Sequence, residues 1–472
     1  CCFRRRGAVV DGGLVLRSTL MKFLDWLFRG RKDAAKDDDA TPEIFPWDAH
    51  PSIYERIKAH IRQGQNGLAE GGDTLPDEER IAGKSQVRWA AGAMDGVFSH
   101  HVGGGKHDDD AESLLSLIRE YCAAPTVANK AKVYEFLVQK DTLGLIDPVI
   151  KRITQEAGIN HGRLYDLCMS LAKESPDRGP VKFGIAILGL YREAANHELF
   201  HTLGRHDEFT LFCAVALSNS TENPEAELWE LAKQVDGWGR IHVVERLAAT
   251  ENPEIKDWLL RDGYKNSVMY EYLAYTCATS GGLLTALDRE DVDDELLDAT
   301  GDILRALIAG GPAEDIDCYE DGAATVELYV GHVRRKAVSL DHFLTVATIR
   351  DFLANDEADW DSRRQHGWTP ERRAALAGQC SSFIDRPEWP ERIVDGLRSE
   401  DEVVFFNADR AASLLGIDTW DVHWERLRAS PRKSNRWFLV MKACNEARIA
   451  GVIALASEHI PAHEIATGPG SE

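Results

Sequence analysis

Most of the marks of a membrane protein or of a familiar enzyme are missing from this 472-residue chain. No run approaches the roughly 20 consecutive apolar residues of a membrane span. The nine cysteines make no CxxC and no paired framework. That excludes a disulfide scaffold and a zinc ribbon, and predicts reduced, buried thiols in a cytoplasmic protein. No Gly-x-Gly-x-x-Gly follows a strand and no Gly-x-Ser-x-Gly elbow occurs. Gly103-Gly104-Gly105-Lys106 lacks the spacing and the Ser/Thr of a phosphate loop. No haem, flavin or nicotinamide motif is present, so no cofactor is evident. Basic residues are also short: 55 against 78 acidic, a formal charge of −23. A surface so acidic repels phosphate backbones and excludes nucleic acid as a partner.

Strand-like alternation is absent as well. From residue 111 the chain reads as helix after helix, with apolar residues at i, i+3, i+4 and Gly, Pro, Asn or Asp at the joints. Ser113–Ala123, Asn129–Val138, Asp147–Ala157, Arg163–Lys173 and Val181–Ala194 are such runs. The first methionine is Met21, and residues 1–20 read as an upstream extension outside the natural fold. Residues 21–32 suit a short amphipathic helix with a basic end, and 33–43 an acidic linker. The expected organisation is an N-terminal extension (1–44), a cap (45–110), helical repeats (111–354), further repeats (371–460) and a disordered tail (461–472).

What the chain does have is repetition. Thr-Glu-Asn-Pro-Glu occurs at 221–225 and again at 250–254, 29 residues on, with Trp229 and Trp258 in the same register. A fixed period of this length marks stacked supersecondary units. The predicted fold is all-α, a HEAT-like solenoid of antiparallel helix pairs, each burying its apolar stripe on the next. Laid out at 29 residues, Phe212, Ile241 and Tyr270 align, as do Val215, Val244 and Leu273, and Asn219, Ala248 and Cys277. These columns form the expected buried stripe. Beside them run Cys213, His242 and Glu271, then Leu217, Arg246 and Tyr275, with Glu245 alongside. This more polar face is expected to line a concave groove. Its candidate binding residues are Trp238, His242, Glu245, Arg246, Glu271 and Tyr275, because aromatic and arginine side chains anchor partners well.

One motif competes. His197-Glu198-Leu199-Phe200-His201 is HExxH, which on a helix turns two imidazoles to one face for zinc with a glutamate as base. Gly204 and His206 extend it towards a metzincin pattern, with the third histidine one residue early, and Ser267-Val268-Met269-Tyr270 resembles that family's Met-turn. The repeat argues against zinc. Asn196 aligns with Asn223 and Asn252 at the joint before a helix, leaving Leu199, Phe200 and Leu203 as a packing stripe, and Met269 falls inside a predicted helix. His197, Glu198, His201 and His206 therefore stand as a disfavoured metal set. His100, His101, His107 and Asp108–Asp110 form a second loose cluster, better suited to a solvated loop.

Several stretches, FPWDAHPSIYERIKAHI (45–61), WAAGAMDGVFSHH (89–101), DEFTLFCAVAL (207–217), WGRIHVVERL (238–247) and GYKNSVMYEYLAYTCA (263–278), resemble bacterial helical-repeat proteins that carry the label limonene hydroxylase. The resemblance implies oxygen-dependent hydroxylation of a monoterpene with reduced nicotinamide. It brings no catalytic residue with it. Three readings thus stand side by side: a scaffold whose groove holds a protein or peptide partner, preferably basic; a monooxygenase of a small apolar substrate; and a zinc hydrolase. A DNA-processing repeat enzyme ranks below these, since the polar columns offer only Arg246. The oligomeric state is not set by the sequence.

Overall fold

The computed structural model describes residues 51–62, 64, 66–82, 90–93, 108–155, 158–336 and 339–460. Expectations for residues 1–50, for His100, His101, Gly103–Lys106 and His107, and for the tail from 461 lie outside them. The described residues form helices, with no strand among them and one isolated bridge, Ile61 to Leu68. The chain divides into two compact units at Gly281 and Gly282. Among the described residues no helix is long and apolar enough to cross a membrane.

The first unit contains α1 (Ile53–Ala59), α2 (Glu78–Ala82), α3 (Asp108–Ala123), α4 (Val127–Gln139), α5 (Thr142–Gln155), α6 (His161–Glu174), α7 (Arg178–Leu188), α8 (Ala194–Leu203), α9 (Asp207–Ser220), α10 (Pro224–Ala232), α11 (Gly237–Arg246), α12 (Pro253–Trp258) and α13 (Ala274–Gly281). Sequence neighbours pack as pairs, and α3, α5, α7 and α9 each also pack on the next but one. Asp108–Asp110, read as loop, begin α3, where Asp108 pairs with Arg152 and Asp110 with Lys140. Carboxylates in a first turn meet the positive end of the helix.

The twin pentapeptide is a helix-to-helix joint. Asn223 and Asn252 are N-caps whose side chains accept from Ala226 N and Glu254 N at 3.4 and 2.9 Å. Pro224 and Pro253 occupy the first helical position, where a missing N–H is harmless. Thr221 Oγ1 donates to Leu217 O at 2.9 Å and closes the preceding helix.

The expected faces hold only in part: Phe212, Ile241, Val244, Leu273 and Cys277 are buried as expected, but other positions are not where the columns put them. Cys213 and His242, placed on the open groove, are buried at 0% and 2% exposure, and Leu217 is also buried. Val215, placed in the core, is 40% exposed, and Asn219 and Ala248 are exposed too. The cause is a one-residue error in the ruler. The joints are 29 residues apart, but the N-caps His206 and Asp236 of α9 and α11 are 30 apart. One residue rotates a helical position by about 100°. Asn196 is likewise no joint residue: Glu193 precedes α8, and Asn196 is buried in its first turn, donating to Leu188 O at 3.3 Å. Nor are Met269 and Tyr270 inside an α-helix. Asn266 Oδ1 accepts from Val268 N and Met269 N, tying a turn that leads into a 3-10 segment, Tyr270–Tyr272.

The second unit contains α14 (Leu283–Leu287), α15 (Asp294–Ala309), α16 (Gly322–Arg335), α17 (Leu340–Ala354), α18 (Trp360–Arg364), α19 (Pro370–Ile384), α20 (Trp389–Leu397), α21 (Glu402–Leu415), α22 (Trp420–Ala429), α23 (Ser434–Lys442) and α24 (Ile449–His459). Helices start at Trp389 and Trp420. Trp389 packs on Phe343 and Phe383 with ring centroids 4.9 and 5.2 Å away. The buried Asp409 and His423 pair at 2.7 Å. Of the described cysteines five are buried, Cys444 is half-buried and Cys318 is exposed, all of them free thiols.

A close helix approach predicts a stability test. A Cβ on Gly184 of α7 would stand 2.7 Å from Cys168 O and 3.0 Å from Ala172 N, both backbone atoms of α6. Gly184→Ala should therefore lose about 1–3 kcal/mol in a denaturant titration. Gly162→Ala, where a Cβ meets only Asn160 Oδ1 at 3.4 Å, should be neutral or gain up to about 1 kcal/mol.

Candidate functional site

The N-termini of α9 and α11 meet at a cavity of about 660 Å³ within the first unit. Its wall is mixed. Leu68, Leu75, Trp238 and Val268 supply apolar surface; Asp73, Glu78, Asp207 and Asp236 supply carboxylates; Arg178 and Arg205 supply guanidinium groups.

Behind the wall lies a buried ion network. Glu208, in the first turn of α9, takes Lys182 Nζ at 2.7 Å, Arg178 Nη1 at 3.4 Å and the Gly92 N–H at 3.1 Å. Burial alone would raise its carboxyl, but Lys182 and Arg178 overcome burial and hold it down at about 2. Arg178 also binds the buried Asp77 at 3.1 Å and Glu78 at 2.8 Å. These contacts fasten residues 77–78 and 92 to α7 and α9. His206 Nδ1 accepts from Glu208 N at 3.2 Å, so Nε2 carries the proton and donates to Asp73 O at 3.3 Å. Burial lowers its pKa and keeps the imidazole neutral.

Two carboxylates crowd the start of α11. Asp236 is its N-cap, accepting from Gly237 N at 2.7 Å and from Ser267 N at 2.8 Å. Asp207 reaches across from α9 onto the same turn. Gly237, at φ +54°, and Gly239 make the room: a Cβ on Gly239 would stand 2.7 Å from Asp207 Oδ1, and one on Gly237 would overlap Asp207 Oδ2. Burial first, then the charge of Asp236, push Asp207 up to about 8, against the pull of the Gly239 and Trp238 N–H groups. Asp207 is therefore largely protonated at neutral pH.

Arg205 follows α8 and lines this cavity and a second one of about 370 Å³, which is bordered by Glu198, His201, Glu227 and Glu230. Its Nη1 is buried and has no hydrogen-bond partner among the described residues. Burial lowers its pKa.

Of the residues read from the sequence as a groove, Trp238 alone among them lines the larger cavity. Its ring lies 4.9 Å from Tyr272 and 6.3 Å from the buried His242. Arg246 is exposed and donates to His242 O at 2.6 Å; Glu245, Glu271 and Tyr275 are half-buried. The HExxH residues are spread over other partners. Glu198 is 76% exposed beside Lys58, His201 Nε2 meets Glu227 at 2.6 Å, and His206 is a buried cap. Leu199, Phe200 and Leu203 form the packing stripe expected of them. No group of three or more metal-ligating side chains converges among the described residues. Asp207, Asp236 and Arg205 were missed, although Asp236-Gly237-Trp238-Gly239 carries a signal: two glycines flanking a tryptophan at a helix start imply close approach by another group.

Compared with family models, curated protein sequences and solved structures, the chain matches none of them.

The raised Asp207 makes stability fall with pH. Its folded-state pKa lies above the unfolded value near 3.8, so folding takes up a proton. That contribution is complete below about pH 4 and is lost as pH rises to about 8. Asp207→Asn should flatten the thermal-midpoint profile between pH 5 and 8. The difference between wild type and variant should run no steeper than about 1.4 kcal/mol per pH unit.

Proposed function

We propose that this chain is a binding protein built as a HEAT-like α-solenoid, and that the α9–α11 cavity receives a basic group from a protein or peptide partner. The packing of every second helix on the next supports the stacked-pair architecture, as does the repeated Asn-Pro helix start. One observation carries the functional reading: Asp73, Asp207 and Asp236 share a wall, and none is ion-paired among the described residues. Burial and the neighbouring charge of Asp236 keep the Asp207 carboxyl protonated there. An ammonium or guanidinium group entering beside Trp238 would replace that proton and meet the indole face. The net charge of −23 adds long-range attraction.

The monoterpene hydroxylation implied by the resemblance fits this wall less well. An apolar substrate would strip water from four carboxylates and two guanidinium groups without replacing their hydrogen bonds. The zinc-hydrolase reading finds its residues divided between a surface ion pair, Glu227 and a helix cap.

A lysine-rich peptide measured by calorimetry tests the proposal. Binding should weaken about tenfold or more between low and physiological salt. Because a cation displaces the Asp207 proton, affinity should rise from pH 6 to 8.5. Asp236→Asn keeps a good N-cap and should cost about tenfold in affinity. Binding insensitive to salt and to this substitution would sink the idea.

A further inference from the structure

Among the described residues Arg205 is the cavity's one uncommitted cation, and it points to the other end of the ligand. Arg178 is held by Asp77, Glu78 and Glu208. Arg205 has no such anion: Glu198, Glu227 and Glu230 border the neighbouring cavity, yet none forms an ion pair with it among the described residues. A guanidinium nitrogen buried without an acceptor, as Arg205 Nη1 is among the described residues, is costly. It is satisfied best by a carboxylate, which accepts two parallel N–H bonds from the planar fork. The same wall holds the carboxylates of Asp73 and Asp236, with Asp207 between Arg205 and α11 in the chain. At about 660 Å³ the space suits a residue-sized guest.

We propose that the occupant carries a carboxylate and a cation one side chain apart, as in the C-terminal lysine or arginine of a peptide or in the free basic amino acid. The carboxylate binds Arg205, and the cation lies against Asp236 and Asp73 beside Trp238. This rests on the reading of the cavity as a site for a basic group, and it adds an obligatory anion.

Four probes separate the two ideas by calorimetry on the full chain: Nα-acetyl-lysine, Nα-acetyl-lysinamide, free lysine and Nα-acetyl-norleucine. Nα-acetyl-lysine should bind about tenfold or more tighter than its amide, a difference expected of a charge-assisted pair. Arg205→Gln should abolish that difference, and Arg205→Lys should keep part of it, since charge remains while the fork is lost. Unchanged thermal midpoints show that both variants are folded. Equal binding of acid and amide would overturn the carboxylate assignment while leaving the basic-group reading intact. Norleucine binding as tightly as lysine would overturn the basic-group reading alone, and silence from all four probes would overturn both. Free lysine tighter than Nα-acetyl-lysine would uphold Arg205 and assign the free amino acid as the source.

Discussion

The cavity depends on a carboxylate placed where a carboxylate costs most. Glu208 is buried, yet it gathers a lysine and an arginine from one helix and a backbone N–H from a distant stretch of chain. Arg178 extends the network to Asp77 and Glu78, and so residues more than a hundred positions apart are fixed around one space. Such a network holds only as a whole. Taking away one member leaves the others charged and buried, which costs more than the lost pair itself was worth. The network sets the position of α9, and α9 in turn places Asp207 and His206 at the cavity wall.

The sequence was legible at the level of helices and joints. The Asn-Pro joints mark real helix starts. What it yielded only in part was the side of each helix that faces inward: Ile241 and Val244 were placed correctly, Val215 and His242 were not. α9 packs against α7, α8, α10 and α11, so most of its circumference is covered and an apolar stripe has little contrast. Under those conditions the face depends on absolute register, and a joint-to-joint ruler carries a one-residue error straight into the core. The groove residues shared that error: His242 was moved outward on paper by the same slip that moved Val215 inward.

The candidate site escaped for a different reason. Its parts do not lie on a helix face at all but at helix starts. Capping residues look alike whether they serve only the backbone or also border a ligand space. Asp236 does both, holding Gly237 N and Ser267 N while facing the cavity. Only the third dimension tells that Asp207 shares its turn, because the two are separated by an entire helix pair. The starts of α9 and α11 lie together, and the residues that cap helices become the residues that line a wall.

The stretch Leu259–Gly263 is a π-helical turn, continuous with α12 and tied by Arg240, which donates to Asp262 O and Lys265 O at 3.1 Å. A π turn houses one residue more than an α turn. From the N-cap Asn223 to the cap Asp236 is 13 residues, whereas from Asn252 to the capping Asn266 is 14. The extra residue is lodged in that turn. It works as a phase corrector: α11 runs one residue short, the π turn returns it, and His206, Asp236 and Asn266 fall 30 apart, in step. Length can therefore drift from one helix pair to the next while the caps keep a constant spacing in the chain.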